Sequence, residues 1–198
     1  MSNDVERTIT KERKTAETLI NLTLWLDGSG QIRIDTGIGF FNHLLTTLAF
    51  YAGWDIDLVA TGDLHVDDHH TVEDCALIIG MVINDALGDR AHIARFGSAY
   101  APHDESLARA VVDLSNRPYA VINLGLTRDS ISELACENIP HFLESLARSA
   151  GMTLHMEVLY GNNDHHRAEA AFKALGQALA RAIYRDENNR IKSIKGVI

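Results

Sequence analysis

Histidine is the residue type whose placement in this sequence suggests chemistry. Ten of the 198 residues are histidine, and four of them form two adjacent pairs in a repeated motif. The stretch Asp68-His69-His70-Thr71-Val72-Glu73 returns as Asp164-His165-His166-Arg167-Ala168-Glu169. Imidazole and carboxylate groups together suit borderline divalent cations such as Mn2+, Fe2+, Co2+ and Zn2+. Because adjacent histidines have no structural necessity, their repetition with the same acid indicates metal binding.

Two further histidines complete the pattern. His43 and His141 each begin a helical segment that reaches a glycine ten residues later. Residues i and i+3 of a helix lie on one face, whereas neighbours point about 100° apart. We therefore expect two equivalent sites, each with about four ligands. One would hold His43, His70, Glu73 and His165, and the other His141, His166, Glu169 and His69. Permuted partitions, and ligands from different subunits, remain alternatives.

Other residues near these motifs are expected to have structural roles. Asp68 and Asp164 would either hold the histidine rings or cap the helix N-termini. Cys75 is expected in the core, and with Cys136 it makes no disulfide framework, which is typical of reduced thiols in the cytoplasm. The other four histidines lack a partner pattern and are expected to be structural or at the surface: His65, His92, His103 and His155.

The elements that must position these residues also repeat. Residues 5–35 alternate in short runs, over 18–26 and 31–35, around Asp27-Gly28-Ser29-Gly30, which predicts a strand, a tight turn and a strand. Helices are predicted over 40–52 and 71–87, with a strand over 56–60 between them. The second half repeats the helix, strand and motif at offsets of 98 and 96 residues. The sequence therefore predicts an α+β fold of duplicated halves, each with a sheet on one side and helices on the other.

Composition excludes several classes of function. There are 27 acidic and 18 basic residues, a net charge of −9, and no Lys/Arg run, which argues against a nucleic-acid partner. No apolar stretch approaches the ~18 residues that cross a bilayer, and the N-terminus is too polar for a signal peptide. We therefore expect a cytoplasmic protein with no membrane partner.

Several stretches resemble imidazoleglycerol-phosphate dehydratase. They are 36–43 (TGIGFFNH), 62–74 (GDLHVDDHHTVED), 95–97 (RFG), 113–118 (DLSNRP), 163–167 (NDHHR) and 193–197 (SIKGV). The likeness implies one domain over 1–198, with halves of about 5–92 and 93–190 and a tail over 191–198. It implies a fold like domain 2 of ribosomal protein S5, two Mn2+ ions per active site, and a homo-oligomer of 24 subunits with active sites between them. The implied reaction dehydrates imidazole glycerol phosphate, in histidine biosynthesis, through a metal-bound imidazolate and a diazafulvene-like intermediate.

The same resemblance implies roles for single residues. Glu17 would be the catalytic proton-transfer group and would touch the substrate. A set of cations and one hydroxyl would bind the substrate phosphate: Arg95, Arg117, Lys173, Ser193 and Lys195. From the sequence itself we also expect the last six residues, 193–198, which include Gly196, to form a mobile tail that closes over the substrate. This chain departs from the common family pattern at Asn42, Thr46, Thr47, Tyr51, Asn116 and Ile194.

Two other functions fit the same ligands. A dinuclear metallohydrolase acting on a phosphate ester would also use histidines and carboxylates. A structural or storage shell would use the ions only to join subunits. The four candidate phosphate-binding cations favour an enzyme, because a shell has no need of a convergent phosphate clamp: Arg95, Arg117, Lys173 and Lys195.

Overall fold

Two four-stranded sheets with the same strand order make up the fold of the computed structural model, which describes residues 7–185 and 192–194. The first half contains β1 (Thr8–Lys14), β2 (Thr18–Trp25), β3 (Ile32–Asp35), α1 (Gly39–Ala52), β4 (Asp55–Gly62) and α2 (His69–Leu87). The second half contains β5 (Phe96–His103), β6 (Ser106–Asp113), β7 (Tyr119–Asn123), β8 (Ser130–Ile131), β9 (Leu134–Ala135), α3 (Asn138–Ser149), β10 (Thr153–Tyr160) and α4 (Asp164–Ile183).

The strand pairing confirms the duplication. The first sheet runs β1-β2-β4-β3 and the second β5-β6-β10-β7. In each, the last pair is parallel and the others are antiparallel. The short β8–β9 hairpin lies between β7 and α3 and has no counterpart among the described elements of the first half. The expected α+β fold of two similar sheet-and-helix halves is therefore confirmed.

The tight turn at 27–30 does not make a hairpin, because β4 lies between β2 and β3. The Asp55 carboxylate explains this arrangement: its Oδ1 accepts hydrogen bonds of 2.7 Å from the backbone N–H groups of Ser29, Gly30 and Gln31. The turn is thereby fixed to the start of β4, and β3 continues beside β4 with Ile32 opposite Ile56. The alternation of apolar and polar residues along the strands does not predict this side-chain contact.

The helices lie where the periodicity placed them, with α2 beginning two residues before the predicted start. Gly53 ends α1 in the left-handed region, at φ 72°, which glycine adopts without steric cost. Each helix packs against a helix of the other half, α1 on α4 and α2 on α3. This packing between the halves brings the two motifs, which are 96 residues apart in the sequence, into one layer of helices over a shared apolar core.

Two glycines allow this close packing. Gly80 and Gly176 each lie seven residues beyond a motif glutamate. A Cβ at Gly80 would meet the Ser149 Cβ at 2.6 Å, and one at Gly176 would meet the Leu48 carbonyl oxygen at 2.8 Å. The same position on α2 and α4 is therefore the contact point with the partner helix.

A Gly176→Val substitution is expected to lower the free energy of unfolding by about 1–3 kcal/mol, because the added methyl groups must push α4 away from α1. Denaturant unfolding followed by circular dichroism measures this loss. Gln177→Val adds valine to the next, half-buried position of the same helix and is the matched control. Equal losses in the two variants would contradict the packing role.

Both cysteines are buried free thiols. Cys75 is fully buried in the core, as predicted, and burial raises the pKa of its thiol far above the usual value. Among the described residues, no helix combines the length and the apolar character needed to span a membrane.

Candidate metal centre

The contact between α1 and α4 creates the first group of candidate ligands. His43 lies on α1, and His165 and Glu169 lie one turn apart on α4. The Glu169 Oε2 atom is 3.0 Å from His43 Nε2 and 3.4 Å from His165 Nε2. One ligand atom from each residue lies within 4.8 Å of the others, a separation that one cation can bridge.

The contact between α2 and α3 creates the second group in the same way. His69 and Glu73 lie on α2, and His141 lies on α3. The Glu73 carboxylate is 3.4 Å from His141 Nε2 and 3.9 Å from His69 Nε2. The two imidazole rings stack with centroids 4.8 Å apart. The duplication has therefore produced two equivalent groups of two histidines and one glutamate.

This partition differs from the expected one. Each glutamate shares its group with the histidine four residues before it, not with the one three residues before it. Positions i and i+4 are helix neighbours as much as i and i+3, and hydrogen bonds decide between them here. Asp63 holds the His70 ring at Nδ1, 3.0 Å from Oδ2, while Glu105 Oε2 is 2.7 Å from His166 Nδ1. The second histidine of each pair is thus turned away from its own glutamate.

Both groups fit a bound cation. The His141 Nε2 atom is buried and makes no hydrogen bond among the described residues, although the Glu73 carboxylate lies 3.4 Å away, and such a state is costly for a polar atom. Burial alone would raise the pKa of the Glu169 carboxyl, but hydrogen bonds with His43 and Lys173 outweigh it and hold the pKa at about 2. Burial also lowers the pKa of His165. Ionised carboxylate and neutral imidazole are the forms that bind metals.

His103 lies beside the first candidate ligand group, although the sequence pattern predicted a structural or surface role for it. Its Nδ1 atom is 3.1 Å from Glu169 Oε1, and its ring stacks on that of His166 with centroids 4.6 Å apart. With Asp104 these two histidines form a third group of possible ligands. The sequence signal that could have found it is the turn between β5 and β6, which is equivalent to the turn between β1 and β2 in the first half. The other unassigned histidines are exposed, as expected: His65, His92 and His155.

Asp68 is the N-cap residue of α2, but its side chain makes no capping hydrogen bond, and the carboxylates of Asp68 and Asp164 bind backbone N–H groups instead of histidine rings. Asp68 Oδ2 accepts from the Ala135 N–H at 2.8 Å, and Asp164 Oδ2 accepts from the Thr127 N–H at 2.8 Å. The side chains just before them bind the first turns of the helices: Asp67 accepts from the His69 N–H, and Asn163, the N-cap residue of α4, accepts from the His165 N–H. The two aspartates instead tie each motif to the backbone of the segment around β8 and β9.

Glu17 lies in the turn between β1 and β2, beside the motif of its own half. Its side chain is 50% exposed, and its Oε1 atom is 3.7 Å from His70 Nε2. The structure therefore places a solvent-accessible carboxylate next to the imidazole nitrogen that Asp63 leaves open.

The residues expected to bind phosphate fall in two places. Lys173 Nζ is 2.9 Å from Glu169 Oε1 and 2.9 Å from His103 Nδ1, at the first ligand group. Arg95 donates to both Asp113 oxygens and to the Lys192 carbonyl oxygen, at 2.5–3.1 Å. Arg117 is exposed, 3.7 Å from Asp113. Ser193 is half-buried in the segment 192–194, whereas Lys195 lies outside the described residues. Their role toward phosphate stays a prediction.

Two departures from the family pattern are explained by local geometry. Asn42 Oδ1 accepts from both the N–H and the hydroxyl of Thr36, at 2.9 and 2.6 Å, as an aspartate oxygen would. Asn116 has φ 55°, and asparagine tolerates this left-handed region better than most residues that carry a side chain. Neither substitution disturbs a ligand group.

Comparison with known proteins agrees with this geometry. A family model described as imidazoleglycerol-phosphate dehydratase matches residues 36–179. The Kluyveromyces lactis protein of that name is 55% identical over 171 residues, covering 86% of this chain and 77% of the relative. The Saccharomyces cerevisiae protein is 52% identical over 167 residues, covering 84% of this chain and 76% of the relative.

Solved structures show the same fold. The Staphylococcus aureus imidazoleglycerol-phosphate dehydratase superposes with a TM-score of 0.82 at 35% identity, covering 90% of this chain and 99% of that one. The Pyrococcus furiosus protein, solved in complex with (S)-C348, gives 0.83 at 37% identity, covering 95% of this chain and 100% of that one. On the family match, the sequence identities and the shared fold, the chain belongs to the imidazoleglycerol-phosphate dehydratase family, a family of hydro-lyases.

Proposed function

We propose that this chain catalyses the metal-dependent dehydration of D-erythro-imidazole glycerol phosphate to imidazole acetol phosphate in histidine biosynthesis. Family membership supports the substrate class. The observation that carries the metal dependence is the pair of equivalent groups, each with two imidazoles and one carboxylate within 4.8 Å. The proposed setting is the cytoplasm, with no nucleic-acid or membrane partner.

Mn2+ is the proposed ion, with two per active site. His43, His165 and Glu169 would hold one, and His69, Glu73 and His141 the other. Three protein donors leave positions open on an ion that prefers six ligands, as Mn2+ does. When bound, the ions would supply Lewis-acid chemistry that stabilises negative charge on the imidazole ring of the substrate and so helps the neighbouring hydroxyl to leave.

We propose that His70 and His166 complete the sites of neighbouring copies. Both rings are held at Nδ1 by a carboxylate, which leaves Nε2 outside the two groups of their own chain. A ligand contributed by a second subunit would place each active site between subunits and make the ions part of the assembly. The homo-oligomer of 24 subunits implied by the family resemblance would provide such contacts.

The remaining residues act on the substrate chain. Loss of the hydroxyl must be accompanied by loss of a proton from the adjacent carbon, which gives an enol that becomes the ketone. Glu17 is the proposed proton-transfer group, since an exposed carboxylate beside His70 can reach a substrate from the solvent side. The phosphate would be held by Arg95, Arg117, Lys173, Ser193 and Lys195, because arginine offers a bidentate fork and lysine a point charge.

Incubation with imidazole glycerol phosphate tests the proposal. The purified protein is stripped of metal by chelation and assayed with and without added Mn2+. We expect keto product only with Mn2+, and no release of inorganic phosphate. Phosphate release would favour a metallohydrolase instead, and the absence of a metal-dependent keto product would reject the proposed function.

A further inference from the structure

The duplication places two glutamates in equivalent positions. Glu17 and Glu105 each stand directly before the second strand of their half, in the sequences Glu17-Thr18-Leu19 and Glu105-Ser106-Leu107. Each lies in the turn that joins the first two strands of its sheet. Each also lies beside the second histidine of its own motif, His70 or His166.

The two carboxylates make different contacts. Glu105 Oε2 lies 2.7 Å from His166 Nδ1, and its Oε1 accepts from the N–H groups of Asn162 and Asn163 at 3.1 and 2.9 Å. Both of its oxygens are therefore occupied within the chain. Glu17 approaches the opposite nitrogen of its histidine, with Oε1 at 3.7 Å from His70 Nε2. One glutamate is committed to a structural contact and the other is available to a substrate.

Loop length explains why the contacts diverged. Six residues connect β4 to α2, and one of them, Asp63, reaches His70 Nδ1 at 3.0 Å. Only three residues connect β10 to α4, and two backbone N–H groups of this short loop donate to the Glu105 carboxylate. In the second half the contact with the histidine Nδ1 atom therefore comes from Glu105. In the first half Asp63 makes that contact, and Glu17 is left free of it.

We infer that Glu105 is a positioning residue that holds the His166 ring at Nδ1, so that Nε2, which lies 3.9 Å from Asp104 Oδ2, is the nitrogen offered to a metal ion. A carboxylate that accepts from Nδ1–H selects the tautomer whose Nε2 lone pair is free, and it also sets the ring orientation. The inference rests on the proposed metal-dependent function and adds a division of roles. Of two equivalent glutamates, Glu17 transfers the proton and Glu105 holds a ligand.

Two substitutions at one position test this role. Glu105→Ala removes the acceptor, and a 10–100-fold loss of Mn2+ affinity is expected, the usual effect of removing a partner of a metal-binding histidine. Glu105→Gln keeps one acceptor oxygen, which can serve Nδ1–H or the loop N–H groups but not both, so it is expected to recover part of the affinity and turnover that Glu105→Ala loses. Mn2+ titration of the metal-free protein, followed by electron paramagnetic resonance, measures the affinity. Glu157→Ala is the matched control, because this β10 carboxylate contacts Arg109 instead of a histidine.

The outcomes separate the inference from the proposed function. Wild-type Mn2+ affinity in Glu105→Ala would overturn the positioning role while leaving the proposed function intact. Normal Mn2+ binding with lost turnover in Glu105→Gln would also overturn it, since that result describes a proton-transfer group. A wild-type protein that neither binds Mn2+ nor forms keto product would instead reject the function itself. Loss in Glu105→Ala with partial recovery in Glu105→Gln supports the inference even if the alanine variant is less stable.

Discussion

Glutamine in place of Glu17 is expected to reduce kcat by about 10²–10⁴-fold while Mn2+ binding stays close to that of the wild type. General acid–base catalysis by one positioned group contributes an effect of this size. The amide has nearly the same shape as the carboxylate but cannot take up or release the proton at neutral pH. Since Glu17 is half-exposed and approaches His70 Nε2 only to 3.7 Å, it is not needed to hold a ligand in place.

Steady-state kinetics and Mn2+ titration on the same preparation check this prediction. We expect a KM near the wild-type value, because the charge of Glu17 is not part of the phosphate-binding set. Glu12→Gln is the matched control, since Glu12 is an exposed glutamate on the adjoining strand β1. A turnover number close to that of the wild type would remove Glu17 from the mechanism. Loss of Mn2+ binding in Glu17→Gln would make it a ligand-supporting residue.

Much of the fold was accessible from the sequence because the duplication repeats strong local signals. The helices over 40–52 and 71–87 carry regular apolar spacing and end at glycine, so local rules are enough to place them. The strand over 56–60 is correct for the same reason. The pairing of β3 with β4 was not accessible, because it depends on one carboxylate, Asp55, that accepts three backbone N–H groups from a turn 24–26 residues earlier.

In the candidate site, too, sequence patterns predict some features, whereas contacts between distant residues decide the others. The repeated motif and the two helix starts identified the four histidines and two glutamates that the structure gathers at its helix contacts, together with His70 and His166, which lie outside those two groups. It could not say which histidine faces Glu73, because that depends on Asp63 drawing the His70 ring away. His103 was missed because its partners come from α4, about 60–70 residues further along the chain. Long-range hydrogen bonds, which leave no periodic trace, account for these differences.

The two ligand groups also make a prediction about ion count. His43→Ala and His141→Ala each remove one imidazole from one group and leave the other group complete. If each group binds one ion, the Mn2+ content of either variant should fall from about two per chain to about one. Lewis-acid stabilisation is worth several kcal/mol in the transition state, so kcat should drop on the order of 10³-fold in both.

Metal analysis of dialysed protein and sedimentation of the same samples measure these effects together. Because His70 and His166 are proposed to complete the sites of neighbouring copies, losing one ion should also weaken the assembly and give lighter particles than the wild type. His155→Ala, at an exposed position on β10, is the matched control and should keep both ions. Full Mn2+ content in His141→Ala would show that the group around Glu73 does not bind metal. A full-sized particle lacking one ion per chain would separate metal binding from assembly, because the ions would then serve the reaction without joining the subunits.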